Sequence, residues 1–155
     1  MTLERILVGV DGSTGAQHAL LWCAEVAGDN HSHVYAVHAI SNTWLMELEA
    51  LQLDSALVTR KARSSMVGQW TNVLRERGVE CSTDVVVGDP ASSLLERAAR
   101  YHADLIVLGA SRHRSLRDEL LGGTAHRVVN RSTTPVVVVP SPRAPSKPSW
   151  VPLPG

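Results

Sequence analysis

The chain has 155 residues, 44% of them apolar and 19% charged, with fifteen basic and fifteen acidic side chains. This composition suits one soluble domain with a real core and excludes a disordered chain, and the cancelling charges leave no overall field to draw the protein to nucleic acid or an anionic membrane. No basic start leads into a long apolar stretch and no apolar segment reaches the roughly 18 residues of a membrane span, so a cytoplasmic protein is expected.

Residues 5 to 10 form a nearly continuous apolar run, the pattern of a strand buried on both faces of a parallel sheet. Turn-forming DGSTG leads into a helix whose apolar positions Ala16, Leu20, Cys23, Ala24 and Ala27 recur at spacings of three and four, with GDN at 28–30 as its stop. HVYAVHAI, residues 33–40, reads as the second strand. Residues 41–54 have no clear periodicity; beyond them Leu57, Ala62, Met66, Trp70 and Leu74 mark a long helix that ends at Gly78. STDVVVG is the third strand. Asp89 is the expected N-cap of a third helix, from Pro90 to about His102, and DLIVLG is the fourth strand. A polar loop follows, then a helix from about Gly123 to Asn130 and a last strand, PVVVV, at 135–139.

Strands alternating with helices imply an open, doubly wound α/β fold with a parallel sheet, in which ligands bind beyond the carboxyl ends of the strands where their order reverses. Asp11 and Gly109, at the ends of the first and fourth strands, therefore feed candidate site loops. Residues 1–140 form one domain. From Pro140 onward, PSPRAPSKPSWVPLPG holds six of the eight prolines with no helical or alternating pattern, so residues 141–155 read as an extended tail, with Trp150 as a docking anchor.

Several nucleotide and catalytic motifs are absent. The glycines of GVDGSTG fall at 9, 12 and 15, without the close G-x-G pair of the dinucleotide fingerprint, and neither G-x-x-x-x-G-K-[ST] nor G-x-S-x-G occurs. No serine, histidine and acid group at a spacing that suggests a triad.

VGVDGS, the stretch from Gly109 to Thr124 and PVVVVP together resemble the universal stress protein (UspA-like) family, from Arg5 to Pro140. The resemblance implies a five-stranded sheet of order 3-2-1-4-5, similar to the adenine nucleotide alpha hydrolase fold. It also implies a stress-response or signalling module that binds ATP, with Mg2+, or a related adenine nucleotide, and that is not a metabolic enzyme. The family's nucleotide-binding branch uses G-x2-G-x9-G-[ST] after the fourth strand; Gly109 fits the first glycine and Gly122 the third. Asp11 fits an acid that contacts the adenosine part, and Val10, Ala39 and Thr124 complete the implied site. Two positions depart from the pattern: Arg112 stands in place of the second glycine and Gly123 in place of the hydroxyl residue. Arg112 either forks onto phosphate oxygens or obstructs a turn that needs positive φ. The second alternative favours a branch of the family that binds no nucleotide. An enzyme of the related hydrolase fold is the remote alternative, because the S-G-G-x-D-S loop such enzymes carry is reduced here to DGS. The family's strand order also puts residues 135–139 at the sheet edge, where pairing with a second copy would make a homodimer.

Other residues have plainer readings. Asp11 serves as a helix N-cap as readily as a ligand contact, and Ser13 would cap as well. Arg112, His113, Arg114 and Arg117 form either a solvated loop or a phosphate-facing patch. His31 and His33 are spaced to share a strand face, but a third metal ligand is lacking, so they read as surface histidines. His38 is either a pocket residue or a satisfied edge histidine. Cys23 and Cys81 read as plain thiols.

Overall fold

The computed structural model describes residues 2–110 and 123–141. Five parallel strands run β1 (Arg5–Gly9), β2 (His33–Ile40), β3 (Cys81–Val87), β4 (Leu105–Gly109) and β5 (Val136–Val139), in the spatial order β3-β2-β1-β4-β5. The order reverses between β1 and β4, the two strands whose ends feed the candidate site loops. Their register pairs Ile6 with Leu105 and Val8 with Val107.

The helices are α1 (Thr14–Asn30), α2 (Asn42–Ala50), α3 (Ser55–Ser65), α4 (Asn72–Glu76), α5 (Pro90–Arg100) and α6 (Gly123–Arg131), with a π-helical turn, Met66–Trp70, between α3 and α4. On one face of the sheet Ile6, Val8, Val34 and Val107 pack against Leu20, Cys23 and Ala24 of α1, with Met66 and Leu74 closing the layer. On the other, Leu7, Val37 and Ile106 meet Leu94 and Ala98 of α5 and Val128 of α6. Because alternate residues of a strand face opposite sides, the two layers account for continuous apolar runs such as ILV and LIVL.

Four features depart from, or go beyond, what the sequence pattern suggests. GDN lies inside α1 and not beyond it: Gly28, Asp29 and Asn30 are its last helical residues, and the C-cap is His31, which takes the left-handed conformation at φ 55° and donates its N–H to the Ala27 carbonyl. His31 is therefore a helix cap and not a strand neighbour of His33. His33 instead bonds the Ser82 hydroxyl at 2.8 Å and faces Glu80. Residues 42–50 form α2, capped by the Ser41 hydroxyl, although sequence periodicity does not reveal it. The long helix expected up to Gly78 is broken by the π turn, whose widened loop is held by the buried Thr71 hydroxyl donating to the Met66 carbonyl at 2.5 Å.

Asp89 does cap α5, accepting from the Ser92 N–H at 3.0 Å, with Pro90 at the first turn. At the β3 edge, Asp84 accepts from Arg97 and from the Tyr101 hydroxyl, both at 2.7 Å, and Tyr101 stacks on Tyr35. Cys23 is buried in the core and its thiol is pushed up to about 12, chiefly by that burial; burial also raises the Cys81 thiol. Both stay protonated at neutral pH, in keeping with plain thiols. Among the described residues no helix is long and apolar enough to cross a membrane. Apart from Ser141, the tail expected at 141–155 lies outside the described residues, and Trp150 with it.

Candidate functional site

At the carboxyl ends of β1, β2 and β4 a cavity of about 510 Å³ opens. β1 contributes Gly9 and the following Val10 and Asp11, β2 contributes Val37 to Ala39, β4 contributes Leu108 and Gly109, and the starts of α5 and α6 close the far side with Pro90, Leu94, Gly123 and Thr124. Its size falls within the range of about 300–1,000 Å³ typical of small-molecule sites.

Six of the eight residues singled out from sequence meet here: Val10, Asp11, Ala39, Gly109, Gly123 and Thr124. They come from four separate places in the chain and are joined only by the sheet. Arg112 and Gly122, like His113, Arg114 and Arg117, lie outside the described residues. Leu94, Leu108 and Pro90 also line the cavity without a sequence motif to mark them; the placement of Pro90 and Leu94 in the first turns of α5 follows from the Asp89 cap.

The turn after β1 separates the two readings of Asp11. Ser13 is the N-cap of α1, its hydroxyl accepting from the Ala16 N–H at 3.2 Å. Asp11 instead accepts from the Ser13 N–H at 2.9 Å through Oδ1, which sets the turn and leaves the exposed carboxylate at the cavity wall. Gly12 between them sits at φ +78°, the left-handed region that glycine enters without steric cost.

His38 combines both of its readings. It lines the cavity, and its Nδ1 lies 2.7 Å from the Val10 carbonyl. A carbonyl only accepts, so Nδ1 donates. The ring also meets Trp70 edge to face, with centroids 5.2 Å apart. This contact ties the ends of β1 and β2 to the π turn.

The far wall is braced by charge. Arg127 of α6 forks onto Asp89, the α5 cap, with bonds of 2.7 and 2.8 Å. The Arg127 bonds, and after them those from Ser92, hold the Asp89 carboxyl well below the usual carboxylate range. The start of α5 is thus joined to the middle of α6 through one side chain, a contact with no local sequence signal because the partners are 38 residues apart.

A second chamber of about 410 Å³ adjoins the first, sharing Asp11, His38, Ala39 and Pro90 with it. Its walls include Trp44 of α2, Val58, Lys61 and Ala62 of α3, and Trp70. In the sequence Trp70 is only one periodic position of a helix, and Trp44 falls in the stretch without periodicity, so the chamber is not legible there.

The sequence profile of the universal stress protein family matches residues 2–140. The chain belongs to the universal stress protein family. A universal stress protein of Methanocaldococcus jannaschii is 29% identical over 143 residues, which cover 90% of this chain and 84% of the relative. Universal stress protein UspA from Lactobacillus plantarum superposes with a TM-score of 0.73 at 23% identity, over 90% of this chain and 99% of that one. The universal stress protein from Archaeoglobus fulgidus, solved in complex with dAMP, gives a TM-score of 0.66 at 23% identity over the same shares. At such identities these likenesses show a common fold. The five-stranded order observed for this universal stress protein agrees with its sequence resemblance.

Proposed function

We propose that this universal stress protein is a cytoplasmic stress-response or signalling module that binds ATP or a related adenine nucleotide, and is not a metabolic enzyme. The observation that carries the reading is the convergence of Val10, Asp11, Ala39, Gly109, Gly123 and Thr124 on one cavity at the strand-order reversal. Gly109 and Gly123 present backbone to that cavity without side chains, and the amino end of α6 supplies N–H groups and the positive end of a helix dipole, as phosphate oxygens require. The dAMP held by the Archaeoglobus fulgidus protein supports the ligand class. In this reading Gly122 gives the phosphates room, Arg112 grips them, and Mg2+ arrives on the triphosphate.

Calorimetry with ATP, together with mass spectrometry of small molecules released on denaturing the purified protein, tests the reading. ATP in the released fraction and saturable heat are expected, whereas AMP with a second product would favour an enzyme of the related hydrolase fold. Gly122→Val should abolish both while leaving the circular dichroism spectrum unchanged. No heat and no released nucleotide would instead identify the protein with the branch that binds none, which the arginine at position 112 favours.

The partner proposed for the protein itself is a second copy. β5 is an outer strand, and each of its valines is only half-buried, with Val137 and Val139 on one core layer and Val136 and Val138 on the other. Among the described residues no strand lies beyond it, so its outer backbone groups are open to pairing with a second copy. Light scattering at micromolar concentration should give twice the mass of one chain, and Val137→Lys should halve it.

A further inference from the structure

We propose that the second chamber is the docking site of the protein's own proline-rich tail, residues 142–155, with Trp150 and the prolines beside it seated against Trp44 and Trp70. The inference does not depend on what occupies the larger cavity.

The chamber joins two unlike indoles, with Ile40, Val58 and Ala62 extending its apolar lining. Trp70 is held in place: the π turn delivers it, the His38 ring meets it, and it packs so closely on Gly12 that a Cβ there would fall 2.6 Å from its ring. A ring fixed in advance loses little freedom when a partner lies against it. Trp44 is 45% exposed, an unusual state for the largest side chain. It is one of a group: among the described residues, five of the nine exposed large apolar side chains, Trp44, Met46, Leu51, Leu53 and Leu57, lie on α2, α3 and the turn between them. This part of the surface is thus short of apolar cover. Aromatic-lined grooves are where proline-rich segments dock, because their extended backbone is already stiff and little entropy is lost on binding.

The tail has the matching chemistry. Five of its fourteen residues are prolines, and Pro142, Pro145 and Pro148 recur at the three-residue repeat that puts them on one edge of a polyproline helix. Pro148 and Pro152 flank Trp150, which brings a large apolar ring to an apolar space. The tail's only charged side chains are Arg143 and Lys147, whereas the exposed Asp11 borders the chamber and the exposed Glu47 lies one turn along α2 from Trp44; Lys61 is the one cation among the lining residues. Reach selects this chain's own tail. Ser141, whose hydroxyl lies 3.5 Å from the Ala110 carbonyl, follows β5 at the same end of the sheet as the chamber. From β5 to β2 is three strand spacings, about 15 Å, and the residues from Ser141 to Trp150 span about 28 Å in a polyproline conformation. Trp150 therefore reaches the chamber with slack, and the tether gives it an effective concentration of about a millimolar, which a separate partner must exceed.

The experiment follows the indole N–H signals of the isotope-labelled full chain by nuclear magnetic resonance. Its four tryptophans give separate reports, and Trp22, which packs on the α1 layer of the core, monitors the fold. Trp150→Ala should shift the Trp44 and Trp70 signals and leave that of Trp22 in place. Trp44→Ala should move the Trp150 signal towards its position in a free peptide of residues 142–155. That peptide, added to the Trp150→Ala chain, should return the Trp44 and Trp70 signals to their parental positions at roughly millimolar concentration, the range a short tether supplies. The parental positions should also survive dilution to where the protein is a single chain. Trp44 and Trp70 signals indifferent to Trp150→Ala, or a Trp150 signal in the parent that coincides with that of the free peptide, would overturn the docking. Shifts that vanish on dilution would give the chamber to the tail of a second copy and overturn the intramolecular arrangement.

Discussion

Gly109→Ala is expected to cost about 3 kcal/mol or more of stability, the upper end for overpacking a close-packed site, and to lower the melting temperature by roughly 10 °C. The reason lies in backbone. A Cβ on Gly109 would sit inside the contact distance of the Gly15 carbonyl and 2.7 Å from the Ala16 nitrogen. The clash is reciprocal, since a Cβ on Gly15 would fall 2.5 Å from the Ala110 carbonyl oxygen. The two glycines let the first turn of α1 lie directly on the end of β4, and no flexible side chain stands between them to give way. Gly28→Ala provides the opposite sign. Gly28 lies in the last turn of α1, and a Cβ there would meet nothing within 4 Å, so alanine should stabilise by about 0.5 kcal/mol through the lost entropy of glycine. Urea unfolding of both variants checks the pair; a Gly109→Ala protein as stable as the parent would mean that α1 can lift from the sheet freely. Gly109 is thus needed for packing whether or not a phosphate approaches it.

Elements whose signal is local are legible in the sequence. Continuous apolar runs mark β1, β4 and β5, and the Asp89–Pro90 pair marks the start of α5, because burial on two faces and capping each constrain adjacent residues. The strand order comes from family resemblance, since alternation alone permits several windings. What escapes is set at a distance. Gly28 looks like a stop, yet α1 continues past it because Ala24 and Ala27 are buried in the core and favour another turn. The real terminus is a histidine in the left-handed region, a residue type that gives little warning. The π turn likewise follows from tertiary contacts, with Met66 and Leu74 both fully buried on the same layer and Thr71 bonding back across the turn. The same turn brings Trp70 to His38. The half of the candidate site formed by strand ends can therefore be read residue by residue, whereas the half formed by α2, α3 and the π turn cannot.

The unread half hinges on Gly12, and Gly12→Ala should destabilise the protein by about 2–3 kcal/mol, combining left-handed strain with overpacking. At φ +78° an alanine is strained even in open space, and here its Cβ would also meet the Trp70 ring at 2.6 Å. The two contributions can be separated. Asparagine tolerates the left-handed region, so Gly12→Asn should remove much of the strain but keep the clash, and should remain less stable than the parent. A double-mutant cycle of Gly12→Ala with Trp70→Ala isolates the contact with the ring: removing the indole frees the space, so the double variant should be more stable than the sum of the two single losses implies, by about 1 kcal/mol or more. Additive losses would mean that the indole swings aside without cost. That result would also remove the reason to regard Trp70 as fixed in advance, because a ring that yields easily to a methyl group is not held by the π turn and His38. A coupled result, with Trp70 emission shifted in the Gly12→Ala protein, would show that the β1 turn and the Trp-lined chamber are one mechanical unit, in which the residue beside Asp11 sets the position of the ring.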